Sequence, residues 1–267
     1  MNSPNSKNSI NRIALLTDFG TRDYFVGAIK GAILSICETV KIIDITHEIE
    51  PQNIQLASFT LRACYENFPK KTIFVAVVDP GVGSNRRAIL VETTDYFFVA
   101  PDNGLLSFVF DETENFRVFE LTNQKYFAER VSRTFHGRDV FAPVAAHLAN
   151  GVQPNEFGAQ ITDFVRSKEN IPHKTDDKKI EGEVIHIDHF GNLITNFRKE
   201  DLPAKFYLET NGERIEKLRT FFAEAEKSEI FMIFGSAGFL EIVAFQDSAE
   251  NLLKAKIGDA VTVVETN

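Results

Sequence analysis

Cysteine is scarce in this chain: 267 residues contain two, Cys37 and Cys64. Both fall at apolar positions of segments patterned as helices, which reads as reduced core thiols in a reducing compartment rather than a disulfide framework. Basic charge is also in deficit. Against 38 Asp and Glu stand 29 Lys and Arg, a formal net charge of −9, which disfavours a surface built to neutralise nucleic-acid phosphates or anionic lipid. No apolar run reaches the length of a membrane span, and the first eleven residues, MNSPNSKNSIN, are polar without the apolar stretch of a secretory signal. The expectation is a cytoplasmic protein with no membrane and no nucleic-acid partner. Metal and nucleotide signatures are missing too: there is no HExxH, paired CxxC, EF-hand loop or Walker A sequence, and Gly81-Val-Gly-Ser-Asn-Arg86 does not complete GxGxxG.

What is present is a hydrophobic fraction of 43%, enough for a packed core, in a pattern that changes character along the chain. After the polar tail 1–11, Arg12 to Thr17 reads as a buried strand, Tyr24 to Ile36 as a helix, Lys41 to Ile45 as a strand and Ile54 to Phe68 as a second helix. In that helix Ile54, Ala57, Leu61, Cys64 and Phe68 recur every three or four residues and form one apolar face. Thr72 to Val78 is apolar without alternation, as expected of a parallel strand covered on both faces. Strand-like runs follow at 88–93, 96–100 and 116–120, and a helix is expected after Phe135-His-Gly-Arg-Asp139 up to about Asn150.

The α/β pattern then stops. A charged stretch, RSKENIPHKTDDKKIE at 166–181, suits a linker. Beyond it come short β-like runs at 182–197, 205–210, 230–234, 239–245 and 260–265. The expected architecture is therefore an α/β domain at 12–165, with a mostly parallel sheet flanked by helices. A smaller antiparallel β-barrel or sandwich at 182–267 should follow.

In an open α/β sheet, ligands sit outside the carboxyl ends of the strands, which makes Asp18, Asp23 and Asp79 candidates by position. Asp79 precedes Pro-Gly-Val-Gly83, where glycines permit tight backbone turns and close approach of a ligand, and Arg86 lies seven residues on. The same letters also serve a capped turn followed by a solvated cation. His136 stands before glycine at a helix entrance, and His47 follows a strand. Asp18, Asp79 and His136 together are also a conceivable divalent-ion set, which keeps a metal-dependent phosphoesterase open. Asp188-His-Phe-Gly-Asn192 supplies donors and acceptors for an amino group and a heterocycle edge, or else an Asx-capped turn.

Taken together these segments resemble the S-adenosylmethionine hydrolase family, which is related to the fluorinase and chlorinase enzymes. The resemblance rests on Leu16-Thr-Asp-Phe-Gly20 with Asp23, Asp44-Ile-Thr-His47, Val77-Val-Asp-Pro-Gly-Val-Gly83 with Arg86, Ala100-Pro-Asp-Asn-Gly-Leu105, Phe135-His-Gly-Arg-Asp139, Asp188 to Asn192, and Gly235-Ser-Ala-Gly-Phe-Leu-Glu241. It implies hydrolysis of S-adenosyl-L-methionine to adenosine and L-methionine, with no cofactor and no metal. The alternatives are a protein that binds adenosine or S-adenosylmethionine without turning it over, and a halogenase.

By the same resemblance Asp79, Arg86 and His136 form the catalytic set, Asp18 takes the ribose hydroxyls, Asn192 contacts adenine, and Asp23, Asp188 and Ser236 hold the methionine portion. Where fluorinases have a tyrosine and a threonine this chain has Asp79 and Val82, and where their serine helps hold halide it has Gly137. Ile194 departs from the aromatic residue of halogenases. The family resemblance further implies a homotrimer with sites at subunit interfaces.

Overall fold

The computed structural model describes residues 12–167 and 171–266, so the expected polar tail at 1–11 lies outside the described residues. The chain divides into two compact units between Ser167 and Lys168.

The first unit opens with β1 (Arg12–Thr17), α1 (Phe25–Ile36), β2 (Lys41–Thr46), α2 (Ile54–Cys64) and β3 (Ile73–Val77). It continues through β4 (Ala88–Thr93), β5 (Phe97–Pro101), α3 (Ser107–Glu112), β6 (Phe116–Glu120), α4 (Ala142–Ala149) and β7 (Gln160–Ile161). The sheet order is β2-β1-β3-β5-β4-β6-β7; the pairs among β2, β1, β3 and β5 are parallel, and the remainder are antiparallel. Strand β3 shows why its sequence lacks alternation. Ile73, Val75 and Val77 face a core shared with α1 and α4, whereas Phe74, Ala76 and the following Val78 face a second core shared with α2 and α3. A strand buried on both faces must be apolar at every position.

Helix α2 starts where Asn53 accepts the Leu56 N–H, a side-chain cap of the usual kind. It ends earlier than its apolar stripe suggests, at Cys64, and Tyr65–Asn67 tightens into a 3₁₀ turn. Helix α4 is entered through a π-helical turn, Gly137–Phe141, a wide turn of the kind often found at functional positions.

The second unit contains β8 (His173–Asp176), β9 (Lys179–Ile187), β10 (Leu193–Arg198), β11 (Phe206–Thr210), β12 (Glu213–Ile215), β13 (Ile230–Phe234), β14 (Phe239–Ala244), α5 (Ala249–Leu253) and β15 (Ala260–Glu265). All its strand pairs are antiparallel, in the order β12-β11-β15-β9-β10-β14-β13 with β8 added to β9. Backbone bonds from Met232 N–H to the Lys217 carbonyl (2.8 Å) and from Arg219 N–H to the Met232 carbonyl (3.0 Å) join the chain after β12 to β13, which nearly closes a barrel. Its interior is filled by Val184, Leu193, Phe197, Leu208, Met232, Leu240, Ile242, Val261 and Val263.

The segment expected as a linker, 166–181, holds β8 and the start of β9, while its residues 168–170 lie outside the described residues. Every residue of β8 is exposed, so no burial pattern marks it in the sequence. The run 182–197 is not one strand. It is two, β9 and β10, folded about a turn at Asp188 to Asn192.

Candidate active site

Asp79 leaves the carboxyl end of β3, Arg86 stands two residues before β4, and His136 precedes the π turn into α4. The fold brings all three together. Arg86 Nε donates to Asp79 Oδ1 at 2.8 Å, Arg86 Nη2 donates to Asp79 Oδ2, and the same Nη2 donates to His136 Nδ1 at 3.0 Å. The Asp79 and Arg86 side chains keep only 5% and 10% of their surface, so this forked ion pair is held away from bulk water. The guanidinium also lies over the Phe141 ring, 5.3 Å from its centroid.

This arrangement fixes the chemistry of the histidine. A guanidinium has no acceptor, so the ring nitrogen facing it must offer its lone pair, and the neutral ring carries its proton on Nε2. Burial lowers the His136 pKa, and the neighbouring Arg86 charge lowers it further against the opposing pull of Asp79 and Asp139. Neutral imidazole is therefore the form at pH 7. The ion pair also bears on the metal alternative: both Asp79 oxygens already receive guanidinium N–H groups, so a cation there would meet a fixed positive charge. Among the described residues no group of three or more His, Cys, Asp or Glu side chains is arranged to hold a metal ion.

The loops around the three side chains are built to meet closely. Gly83 has φ +79°, and a Cβ there would lie 2.3 Å from the Arg133 carbonyl oxygen, so glycine is required where the Asp79–Arg86 loop touches the approach to His136. On the other side Asp139, nearly fully buried, accepts from Arg138 Nε at 2.6 Å and from Ser132 N–H at 2.8 Å. Burial opposes ionisation of Asp139, but these hydrogen bonds outweigh it and hold the pKa below the usual carboxylate value.

Asp18 follows β1, and its Oδ2 accepts the Gln52 N–H at 2.8 Å. Next to it the Phe19 ring packs edge-on against Phe135, with centroids 5.8 Å apart, which ties the Asp18 loop to the residue before His136. Asp23 is exposed at the far end of that loop. Behind the loop lies His47, 4% exposed, whose Nδ1 is 2.8 Å from Thr17 Oγ1 and whose Nε2 is 3.1 Å from Asp44 Oδ1. The His47 carbonyl accepts the Gly20 N–H at 2.7 Å, so the residue supports the loop from behind. In the sequence His47 is marked by its position after a strand and by the Asp44-Ile-Thr-His47 segment of the family resemblance.

Asp188, Asn192 and Ser236 belong to the second unit. Asp188 Oδ1 accepts the N–H groups of Phe190 (2.8 Å) and Asn192 (2.9 Å), while Oδ2 accepts Asn192 Nδ2 at 2.8 Å, so this turn orders its own polar groups. Ser236 is exposed after β13. Beside it lies Glu241, the last residue of the Gly235–Glu241 segment, to which the resemblance attaches no role. A Cβ on Gly235 would sit 1.6 Å from Glu241 Oε1, so the carboxyl is seated directly against the backbone before Ser236. Burial, with a further contribution from the Asp188 charge, pushes the Glu241 pKa up to about 7.

That shift has a sign. A carboxyl whose folded pKa lies above its unfolded value favours folding below the unfolded value and loses that contribution as pH rises through about 7. Glu241→Gln is accordingly expected to melt at a higher temperature than the parent at pH 8 and at nearly the same temperature at pH 4, measured by calorimetry at both pH values.

Comparison with known proteins bears on the whole chain. A model of the SAM hydroxide adenosyltransferase N-terminal domain matches residues 13–158, and a model of the C-terminal domain matches residues 182–262. The chain belongs to the SAM hydroxide adenosyltransferase family. It is 38% identical to the (R)-S-adenosyl-L-methionine hydrolase of Methanocaldococcus jannaschii, over 94% of this chain and 95% of that one. It is 30% identical to the fluorinase of an Actinoplanes species over 71% of this chain and 72% of that one. Among solved structures, an uncharacterized conserved protein from Thermotoga maritima superposes with a TM-score of 0.86 at 36% identity, covering 95% of this chain and 100% of that one. The family's two domain models fall one in each compact unit, with Asp79, Arg86 and His136 inside the first and Asp188, Asn192 and Ser236 inside the second.

Proposed function

We propose that this protein hydrolyses S-adenosyl-L-methionine to adenosine and L-methionine by in-line attack of water at the ribose C5′. The observation that carries the reading is the connected set Asp79, Arg86 and His136 at the end of a parallel strand, in a chain of this family. Methionine leaves a sulfonium as a neutral thioether, so no acid is needed on the departing side. The difficulty lies with the nucleophile.

Two of the three groups already have their roles limited by geometry. His136 Nδ1 is taken up by Arg86, so the ring's N–H is on Nε2; it is shared between the Ser132 backbone and the attacking water that it is assigned to orient. Asp79 spends one lone pair of each oxygen on Arg86 and keeps others, so it is assigned the proton that the water gives up. Arg86 holds both partners and stabilises the developing hydroxide charge. Base catalysis of this kind is worth roughly 10²- to 10⁴-fold, and collinear alignment of water, C5′ and sulfur up to about 7–11 kcal/mol.

Substrate contacts are part of the proposal: Asp18 for the ribose hydroxyls, Asn192 for adenine, and Asp23, Asp188 and Ser236 for the methionine end. Residues of the two sets come together through a homotrimer in which one subunit supplies the first set and a neighbour the second. Gly137 and Asp79, in place of the halide-holding serine and the tyrosine of fluorinases, favour water over halide. No described helix is long and apolar enough to cross a membrane. A cytoplasmic location is proposed with the rest.

The direct test is incubation of the pure protein with S-adenosyl-L-methionine and chromatography of the products, with and without exhaustive chelation. Equal amounts of adenosine and methionine, unaffected by chelator, are expected; bound but unconverted substrate would leave a binding protein. The pH profile provides a second check. Protonating His136 would place an N–H against the guanidinium and break the set, so kcat/KM should fall only below the lowered His136 pKa. The acid limb is thus expected below the ordinary histidine value of about 6.5, and an acid limb at or above that value would contradict the assigned form of His136.

A further inference from the structure

The Ala100-Pro-Asp-Asn-Gly104 segment has no role in the chemistry above, yet its two polar side chains reach both ends of the Asp79–Arg86 loop. It leaves β5 at Pro101. Asn103 Nδ2 donates to the carbonyl of Val78 at 2.9 Å, and Asn103 Oδ1 accepts the Leu105 N–H at 3.2 Å. Val78 is the residue before Asp79. Asp102, whose side chain is 2% exposed, accepts from Arg87 through Oδ2, with Nε at 3.0 Å and Nη2 at 2.9 Å. Its Oδ1 accepts the Val165 N–H at 2.8 Å. Arg87 is the residue after Arg86. The Arg87 carbonyl accepts both the Asp102 N–H at 2.9 Å and Arg86 Nη1 at 3.2 Å, so the guanidinium that binds Asp79 is itself tied to the backbone that Asp102 holds.

We propose that Asp102 and Asn103 are positioning residues that set Asp79 and Arg86 in register, by gripping the residue before the one and the residue after the other. The proposal rests on the hydrolase reading for its kinetic consequence, but not for its structural one. The need for such a device follows from the loop. Asp79 and Arg86 fix each other and meet His136 through one hydrogen bond, which does not by itself fix the position of the pair, and the Gly81 and Gly83 backbone between them is permissive. The turn holding the two clamps is itself locked: Gly104 has φ +93°, and a Cβ there would come within 1.9 Å of Ser167 Oγ. A displacement of about 1 Å at a reacting group costs on the order of 10²-fold in rate.

Asn103→Leu tests this with little change of shape and none of charge. It removes both the donor to the Val78 carbonyl and the acceptor of the Leu105 N–H. The expected result is a kcat lower by about tenfold to a hundredfold with KM within roughly twofold. His136 reports the same displacement without substrate. The charged groups acting on its ring are Arg86, Asp79 and Asp139, of which Arg86 acts most strongly, so a shifted Arg86 should move the ring titration upward, read by NMR of the histidine carbons. Asp102→Asn weakens the grip on Arg87 but also removes a charge, so it is read by kcat alone, which should fall by less; should Asn103→Leu not fold, a fall in kcat of Asp102→Asn at unchanged KM decides in its place. A lower melting temperature with kcat and, in Asn103→Leu, the His136 titration unchanged would overturn the proposal, leaving the segment a structural turn. If the parent protein yields no adenosine while the His136 titration still moves in Asn103→Leu, the hydrolase reading fails and the positioning role stands.

Discussion

Asp79→Ala is expected to lower kcat for adenosine formation by about 10²- to 10⁴-fold while KM changes by no more than roughly threefold. In the proposed mechanism the carboxylate takes the proton of the attacking water, a service demanded only on the way to the transition state; it also anchors the Arg86 guanidinium. The Michaelis complex loses little, because the ribose, adenine and methionine contacts are assigned to other residues. Asp79→Asn should fall in the same range despite its similar shape, since a carboxamide is no base and turns an N–H toward Arg86. Steady-state kinetics with product chromatography measures both constants, and equal losses in kcat/KM and in affinity with kcat intact would make Asp79 a binding residue instead.

The second large effect is on stability. Arg86→Ala leaves Asp79, with 5% of its side chain exposed, without its partner, and breaking a buried pair from one side typically costs about 3–5 kcal/mol. In a chain of this size that corresponds to a fall of roughly 6–20 °C in melting temperature. The remedy is informative. Removing the stranded charge in the double variant Asp79→Ala/Arg86→Ala should recover part of the loss, so the double variant is expected to melt above Arg86→Ala alone. Strictly additive losses in the double-mutant cycle would show that the two side chains are not coupled.

The features legible in the sequence were those written by burial. Strand β3 announced itself because both of its faces are covered, and Phe116–Glu120, Ile230–Phe234 and Ala260–Glu265 fall where hydrophobic runs placed them. Elements without a burial pattern went unread. The six residues of α3 are too few to establish a helical period, and β8 is exposed at every position. At the site, place and family resemblance mark Asp79, Arg86 and His136, but nothing local in the sequence says that a guanidinium seven residues from one and fifty from the other will touch both. That depends on β3 and β4 delivering the loop ends and on Gly83 letting the loop approach Arg133. The supporting residues were least visible. His47, Asp102, Asn103 and Glu241 act through backbone carbonyls, loop anchors or desolvation, none of which has a spacing signature.

The distribution of charge around the site follows one physical rule. Three buried carboxylates around the site are paired with cations among the described residues: Asp79 with Arg86, Asp139 with Arg138, and Asp102 with Arg87. Glu241 has the Asp188 charge as a neighbour and no such cation, and its carboxyl keeps its proton to about pH 7. The His136 ring lies beside a fixed positive charge and stays neutral.

Hydrolysis by attack on carbon is tested most directly by running the reaction in oxygen-18 water and weighing both products by mass spectrometry. Attack of water at C5′ places the heavy isotope in the 5′-hydroxyl of adenosine and none in methionine. Unlabelled adenosine, or label carried by methionine, would contradict it.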